Sequence, residues 1–419
     1  MHHFRFRKNQ LYCENVKVED IAKKFGTPIY IYSLKTLIEH YRKIKNAFHS
    51  INPLICFSVK ANSNLSVLKV LAKRGAGMDV VSGGELFKAL RVGVNPKRIV
   101  YAGVGKSERE IASAIKAGIL FFNAESFPEL ALIDRVARRL HERIDVCLRV
   151  NPDVDPHTHK FIATGKATNK FGLDMYTAEE IFLRSRIFSH LNLCGIHIHI
   201  GSQITQAQPF VKAIKKALTL INRLRAKKIS LKYLNIGGGL GIVYRNEKPQ
   251  TAEDFARAVL PLLKKAKLRI ILEPGRFIAG NSGILVSKVT YVKTTPNKNF
   301  AIVDAGMNDL IRPSLYDAYH EILPLELNSH GHRTTKYDIV GPICESGDFL
   351  AKNRSMPVLE AGDLLAVMGA GAYGFTMSSN YNSRPRAPEV LVHGNTCSLV
   401  RKRETYQDLV KNEIISKGL

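Results

Sequence analysis

The feature that most constrains this chain is a unit repeated through much of its length: a short apolar strand, a turn carrying Gly, Asn or Ser, then a helical stretch. Strand-like runs fall at 54–59, 77–81, 98–101, 119–123, 144–150, 193–200, 233–236 and 269–273. Helical periodicity lies between them, as over 64–74, 107–117, 127–141 and 210–226. Eight strands alternating with helices predict an α/β architecture, a (β/α)8 TIM-like barrel, with a doubly wound sheet as its main rival.

After Gly280 the texture changes to apolar alternation broken by Gly, Pro and Asn, at 284–293, 300–303, 337–340, 363–368 and 389–392. This predicts a second, mostly β domain over 281–419, with the barrel at 31–280. Residues 4–16 are strand-like too, so the segment 1–30 is expected to join the β domain. No internal sequence repeat and no low-complexity linker interrupts this plan.

Length and composition agree with two domains: 419 residues at 45% hydrophobic content can bury two cores. No run approaches the ~20 apolar residues of a membrane helix, and residues 1–10 are basic and polar without an apolar signal core, so a cytoplasmic protein with no membrane partner is expected. The six cysteines are scattered without a CxxC pair, which suits reduced thiols rather than a disulfide framework. A formal charge of +26 raises nucleic acid as a partner. The charges, however, interleave with apolar residues over 135–143 and 212–228, as on solvated helix faces, and no nucleic-acid motif accompanies them. No nucleic-acid partner is expected.

Barrel enzymes carry their chemistry at the C-terminal ends of the strands. Reactive residues stand there in succession: Lys60 after the first strand, Asp79 and Ser82 at the second, Asn123 at the fourth, Arg149 at the fifth and His199 at the sixth. Gly237, Gly238 and Gly239 follow the seventh, and Glu273-Pro-Gly275-Arg276 the eighth. Loops after strands seven and eight are where many barrels bind phosphate, with glycines admitting backbone N–H groups and an arginine adding a fixed positive fork. An amine delivered beside a phosphate site is what covalent retention of pyridoxal phosphate requires, and Glu273 could then keep the pyridine nitrogen protonated. Taken singly, each residue has a plainer reading: a solvated lysine, a glycine turn, a barrel-end salt bridge. His197 and His199 share a strand face and could be half of a metal site, but no third and fourth ligands present themselves. The preferred reading has one imidazole flat against a cofactor ring and the other packed, with no metal.

Assembled, these motifs resemble the barrel-type (fold type III) family of pyridoxal-phosphate decarboxylases that act on diaminopimelate, ornithine and arginine. The resemblance spans nearly the whole chain. It rests on Ser58-Val-Lys60-Ala-Asn62, Asp79-Val-Val-Ser82-Gly-Gly-Glu85, Asn169-Lys-Phe-Gly172 and His197-Ile-His199-Ile-Gly201-Ser202-Gln203. Further along it rests on Gly237-Gly-Gly239, Glu273-Pro-Gly-Arg276, Cys344-Glu345-Ser-Gly-Asp348 and Gly371-Ala-Tyr373. It implies an alanine-racemase-like pairing of barrel and β domain and a small-molecule amino-acid substrate. By the same resemblance Lys60 holds the cofactor aldehyde, His199 stacks on its ring, and Glu273 meets its nitrogen. Ser202, Gly239, Arg276 and Tyr373 bind phosphate, with Asp79, Gly237, Gly238 and Gly275 also lining the cofactor. Cys344 resembles the proton donor, and the family's active sites are shared across a head-to-tail homodimer, with the Cys-containing loop coming from the partner subunit.

Within the family, Arg276, Arg312 and Glu345 resemble the residues that hold the distal end of diaminopimelate, with Tyr316 and Tyr373 adding hydroxyls. A distal amino-acid centre presents a carboxylate for arginine and an ammonium for Glu345, whereas ornithine would leave buried guanidinium charge uncompensated. The expected reaction is decarboxylation of meso-2,6-diaminopimelate at its D-centre to L-lysine and CO2, the last step of lysine biosynthesis. The rivals are decarboxylation of ornithine, arginine or carboxynorspermidine, and a non-catalytic decarboxylase-like regulator. Retention of both Lys60 and Cys344 argues against the regulator.

Overall fold

In the computed structural model, which describes residues 2–155, 170–327, 331 and 333–418, the chain forms two compact units. One comprises residues 38–243 and 247–278; the other comprises 1–37, 244–246 and 279–419. Among the described residues no helix is long and apolar enough to cross a membrane.

The first unit is the expected barrel. Eight parallel strands, Leu54–Ser58, Gly77–Val80, Ile99–Tyr101, Phe121–Ala124, Ile144–Arg149, Leu191–His197, Tyr233–Asn235 and Arg269–Leu272, close on themselves, the last pairing with the first through Ile271 opposite Leu54. Strands covered on both faces read as continuous apolar runs, and the first strand is buried at every residue. Alternation sends Leu54 and Cys56 into an interior cluster with Val100, Phe121, Cys147, Cys194 and Ile271. Each large side chain there contributes on the order of 1.5–3 kcal/mol by leaving water. The helices begin on designed caps: Ser82 accepts the Glu85 N–H, and Ser107 with Glu110 and Thr251 with Asp254 form capping boxes.

The sixth strand stops at His197, short of the expected 200, because its neighbour ends at Asn235. The Ile198 N–H still reaches the Asn235 carbonyl, and beyond it the neighbouring strand offers no further rung.

The second unit is mostly β. Its large sheet runs Phe349–Pro357, Thr334–Val340, Asn299–Val303, Gly283–Thr294, Ile29–Ser33, Glu389–His393 and Thr396–Arg401, with Leu364–Val367 also on Gly283–Thr294. The strand that enters this sheet near the N-terminus is Ile29–Ser33, fully buried between Gly283–Thr294 and Glu389–His393. Residues 4–16 instead fold back into a small sheet of Phe4–Arg7, Gln10–Cys13 and Val16–Lys17. Lys8 and Asn9 both take positive φ, the conformation of a two-residue hairpin turn.

Candidate active site

Lys60 stands in a single 3₁₀ turn (Val59–Ala61) directly after the first barrel strand. Its amine lies 3.5 Å from Asp79 Oδ2, and its side chain is 39% exposed. Asp79 is buried on the second strand, with the Ser58 hydroxyl 2.8 Å from the same oxygen. Burial pushes the Asp79 carboxyl up, the Glu273 charge adds to this, and the Lys60 charge and the Ser58 bond oppose it. Glu85, quoted above only as the end of a motif, accepts the Val81 N–H at 2.9 Å and is pushed up to about 7, chiefly by burial.

Glu273 goes the other way. It is buried at the end of the eighth strand, where Oε1 accepts from Asn235 at 2.5 Å and from Asn123 at 3.4 Å, and Oε2 faces His197 Nε2 at 3.2 Å. Burial alone would raise its carboxyl. Attraction to His197 and hydrogen bonds from His197 and Asn235, with the Lys60 charge, outweigh burial and hold it at about 2. Two carboxylates on one rim are thus driven apart: Glu273 stays anionic while Asp79 takes a proton more readily.

His199 lies past the sixth strand with its Nδ1 accepting the Gly238 N–H at 3.3 Å. Burial, with the charges of Arg149 and Lys60, holds it well below the usual imidazole range, so the ring is neutral and Nδ1 is the acceptor nitrogen. Gly237 has φ +68°, and a Cβ there would lie 2.7 Å from His199 Nδ1. A Cβ on Gly238 would fall 2.0 Å from the Glu273 carbonyl oxygen, and one on Gly239 (φ +112°) would fall 2.4 Å from the Gly201 carbonyl oxygen. The glycine run therefore packs backbone to backbone against the end of the eighth strand and the loop carrying Ser202. The Glu273 N–H to Gly237 and Ile204 N–H to Gly239 bonds stitch the three together. Gly275 packs against Ser58 and Ala61, and buried Arg276 follows it.

Two further members of this rim, Glu125 and Asn235, carried no signal in the residue pattern, although their neighbours Arg149 and Asn123 stood among the strand-end residues. Arg149 is not a lone cation: its Nη1 donates to both carboxylate oxygens of buried Glu125, at 3.0 and 3.1 Å. Glu125 also accepts the Gly103 and Gly172 N–H groups, so the pair braces neighbouring strand ends. Asn235 and Asn123, the amides that anchor Glu273, sit on the seventh and fourth strands. Asn169 lies outside the described residues.

The remaining expected residues belong to the β unit. Arg312 and Tyr316 open and close a short helix (Arg312–Tyr316). Arg312 is only 6% exposed, and its Nη1 donates to the Tyr244 hydroxyl. Among the described residues no carboxylate pairs with it. Tyr244 comes from the three-residue excursion 244–246 and stands edge-on to His320, whose Nδ1 is 2.8 Å from the Met368 carbonyl oxygen. Cys344 and Glu345 sit exposed on the turn between Thr334–Val340 and Phe349–Pro357, while Tyr373 is half-buried with φ 57°.

The barrel rim thus gathers an accessible amine, an anionic carboxylate, a flat neutral imidazole and, beside the glycine loop, a guanidinium and the Ser202 hydroxyl. That donor set fits pyridoxal phosphate, which needs an amine for its aldehyde, an acceptor for its ring N–H and cationic or N–H donors for its phosphate.

Comparison with known proteins agrees. Residues 34–280 match the family model described as pyridoxal-dependent decarboxylase, pyridoxal binding domain. The chain is 48% identical to a diaminopimelate decarboxylase of Pseudomonas aeruginosa over 98% of each chain, and 47% identical to that of Aquifex aeolicus over 98% of this chain and 97% of the relative. The solved diaminopimelate decarboxylase of M. jannaschii in co-complex with L-lysine superposes with a TM-score of 0.94 at 36% identity, covering 99% of each chain. On this fold, this rim and these relatives, the chain belongs to the diaminopimelate decarboxylase family of pyridoxal-dependent decarboxylases.

Proposed function

We propose that this protein decarboxylates meso-2,6-diaminopimelate at its D-centre, releasing CO2 and L-lysine, and that it works in the cytoplasm as a homodimer with shared active sites. The observation that carries the substrate assignment is Arg312: a buried guanidinium whose hydrogen-bond partner is a neutral hydroxyl. A buried charge without an ion partner is costly, and a substrate's distal carboxylate supplies that partner. Ornithine and arginine bring no second carboxylate.

In this reading Lys60 holds the cofactor's aldehyde, and Ser202, the Gly237–Gly239 backbone, Arg276 and Tyr373 hold its phosphate. When bound, pyridoxal phosphate supplies the electron sink that accepts the bonding pair released by the departing carboxylate. Glu273, anionic down to about pH 2, would hold a proton on the cofactor's ring nitrogen. Neutral His199 offers a flat face that adds no charge. Asp79 steadies the Lys60 amine when that amine is free. At the distal end Arg312 takes the carboxylate, Glu345 the ammonium, and Tyr316 contributes a hydroxyl. Cys344 delivers the proton that replaces CO2 on the substrate carbon. Its exposure in the single chain is what a residue completing the site of a second copy would have.

The test is product formation by purified protein with pyridoxal phosphate and meso-diaminopimelate, with ornithine, arginine and carboxynorspermidine in parallel and the lysine resolved by chirality. L-Lysine from meso-diaminopimelate alone is the expected result. D-Lysine would place the reaction at the other centre, and turnover of another amine would sink the roles of Arg312 and Glu345. For the shared sites, mixing inactive Lys60→Ala and Cys344→Ala chains is expected to restore activity; none would be restored if each chain served its own site.

A further inference from the structure

The turn that bears Cys344 and Glu345 is tied at its feet by one carboxylate, Asp348, while at its tip the Cys344 N–H donates to Asn382 Oδ1 at 2.8 Å. Asp348 is 5% exposed, and its oxygens are divided between two backbone segments: Oδ1 accepts the Met307 N–H at 2.6 Å and Oδ2 the Ile343 N–H at 2.7 Å. The turn also closes on itself, through the Asp348 N–H to the Glu345 carbonyl and the Glu345 N–H to the Ile343 carbonyl. Cys344 and Glu345 therefore project from a tip whose two feet, Ile343 and Asp348, are joined.

The other segment, at Met307, leads into the helix that carries Arg312. A second tie runs from that helix, where Ser314 Oγ donates to the Gly347 carbonyl at 2.6 Å. Two glycines make room for the carboxylate. A Cβ on Gly341 would lie 2.5 and 2.7 Å from the Asp348 oxygens, and one on Gly306 would lie 3.0 Å from both. Among the described residues no lysine or arginine forms an ion pair with Asp348; its partners are backbone N–H groups.

We propose that Asp348, with Ser314 as the second tie, is a positioning residue that anchors the Cys344–Glu345 tip to the Arg312 helix of its own chain, so that the proton donor and the Glu345 carboxylate are presented as one rigid piece. This rests on the reading of Cys344 as proton donor. Replacing one carboxylate oxygen by an amide puts a donor against a backbone N–H, so Asp348→Asn breaks one foot of the clamp without changing its shape.

The experiment uses holoenzyme in D2O with meso-diaminopimelate and reads kcat, KM and the configuration of the deuterium placed on the reacting carbon of lysine. The wild type is expected to give a single configuration. D348N is expected to lose about tenfold or more in kcat and to give a mixture, because a loosely held donor reaches either face. S314A is expected to shift both readouts in the same direction by a smaller factor, and it carries the test should D348N fold poorly. A merely structural role would lower the amount of active enzyme and leave the configuration single, so a single configuration with wild-type kcat per active site in the folded variants overturns the proposal. Cys344→Ala separates the two readings. Wild-type turnover and configuration in C344A would refute the donor assignment itself, whereas impaired C344A beside unaffected D348N and S314A would refute only the clamp.

Discussion

Tyr244 accepts a 2.6 Å hydrogen bond from Nη1 of Arg312, and its ring centroid lies 4.8 Å from the guanidinium carbon. The tyrosine fixes the direction of the guanidinium through the bond and shields it from water through the ring. Hydrogen bonds to charged groups are worth roughly 1.5–3 kcal/mol. Tyr244→Phe keeps the ring and removes the acceptor, so KM for diaminopimelate is expected to rise about tenfold with kcat within a factor of about two. Steady-state kinetics on the two proteins decides it, and an unchanged KM would mean that Arg312 needs no such support.

Glu273→Gln removes the anion that His197, Asn235 and Asn123 converge upon. A neutral amide cannot hold a proton on the cofactor nitrogen, and kcat is expected to fall by a factor of about a hundred or more. Because burial is outweighed and the carboxyl sits at about 2, it is already ionised at every working pH. The wild-type pH–rate profile between pH 5 and 9 should accordingly carry no limb belonging to this group, and a limb that vanishes in the variant would contradict the assignment.

Asp309 gives a stability prediction. Burial pushes its carboxyl up to about 7, against the Gly306 N–H that it accepts at 3.1 Å. A carboxyl raised in the folded state contributes stability in full below the ordinary carboxylate range, and that contribution is lost as pH rises through about 7. The slope from such a group approaches about 1.4 kcal/mol per pH unit between these limits. Asp309→Asn does not titrate, so its denaturation midpoint should gain on the wild type as pH is raised from 5 to 8. Parallel profiles would show that Asp309 is ionised throughout.

Gly238→Ala places a methyl 2.0 Å from the Glu273 carbonyl oxygen, a backbone atom that cannot step aside cheaply. A cost of about 1–3 kcal/mol and a weakened affinity for pyridoxal phosphate are expected. Gly84→Ala is the matched control: it lies in the first turn of Gly83–Arg91, its nearest neighbour would be 3.8 Å away, and it should stabilise by roughly 0.5–1 kcal/mol. Thermal midpoints of the two variants moving in the same direction would discredit the packing argument.

How much of this was legible beforehand follows from what a residue pattern can encode. Strand ends were readable, because a buried parallel strand is a run of apolar residues and the first polar residue after it marks the rim; Lys60, Asp79, Glu273 and the glycine run stand there. Spacing also showed that His197 and His199 share a face, but not that one would pair with Glu273 and the other accept from Gly238, since both partners come from strands distant in sequence. Glu125 and Arg149 meet across adjacent strands with nothing periodic to join them. Tyr244 was invisible for a different reason: it lies in a short excursion without a motif, and its meaning depends on Arg312, far along the chain. Asp348 stood in a quoted motif, yet only the structure shows its oxygens divided between Met307 and Ile343.

The strand Ile29–Ser33 carries a consequence for how the protein is made. It is buried at every residue in the middle of the large β sheet, yet its two neighbours are Gly283–Thr294 and Glu389–His393. During synthesis the ribosome must finish the entire barrel before the first of those neighbours emerges. At roughly 5–20 residues per second, this apolar segment waits for on the order of ten seconds or more with its edges open. An unpaired strand of that composition is a template for association with other chains, so yield at high expression rates should depend on holdase chaperones and improve when translation is slowed.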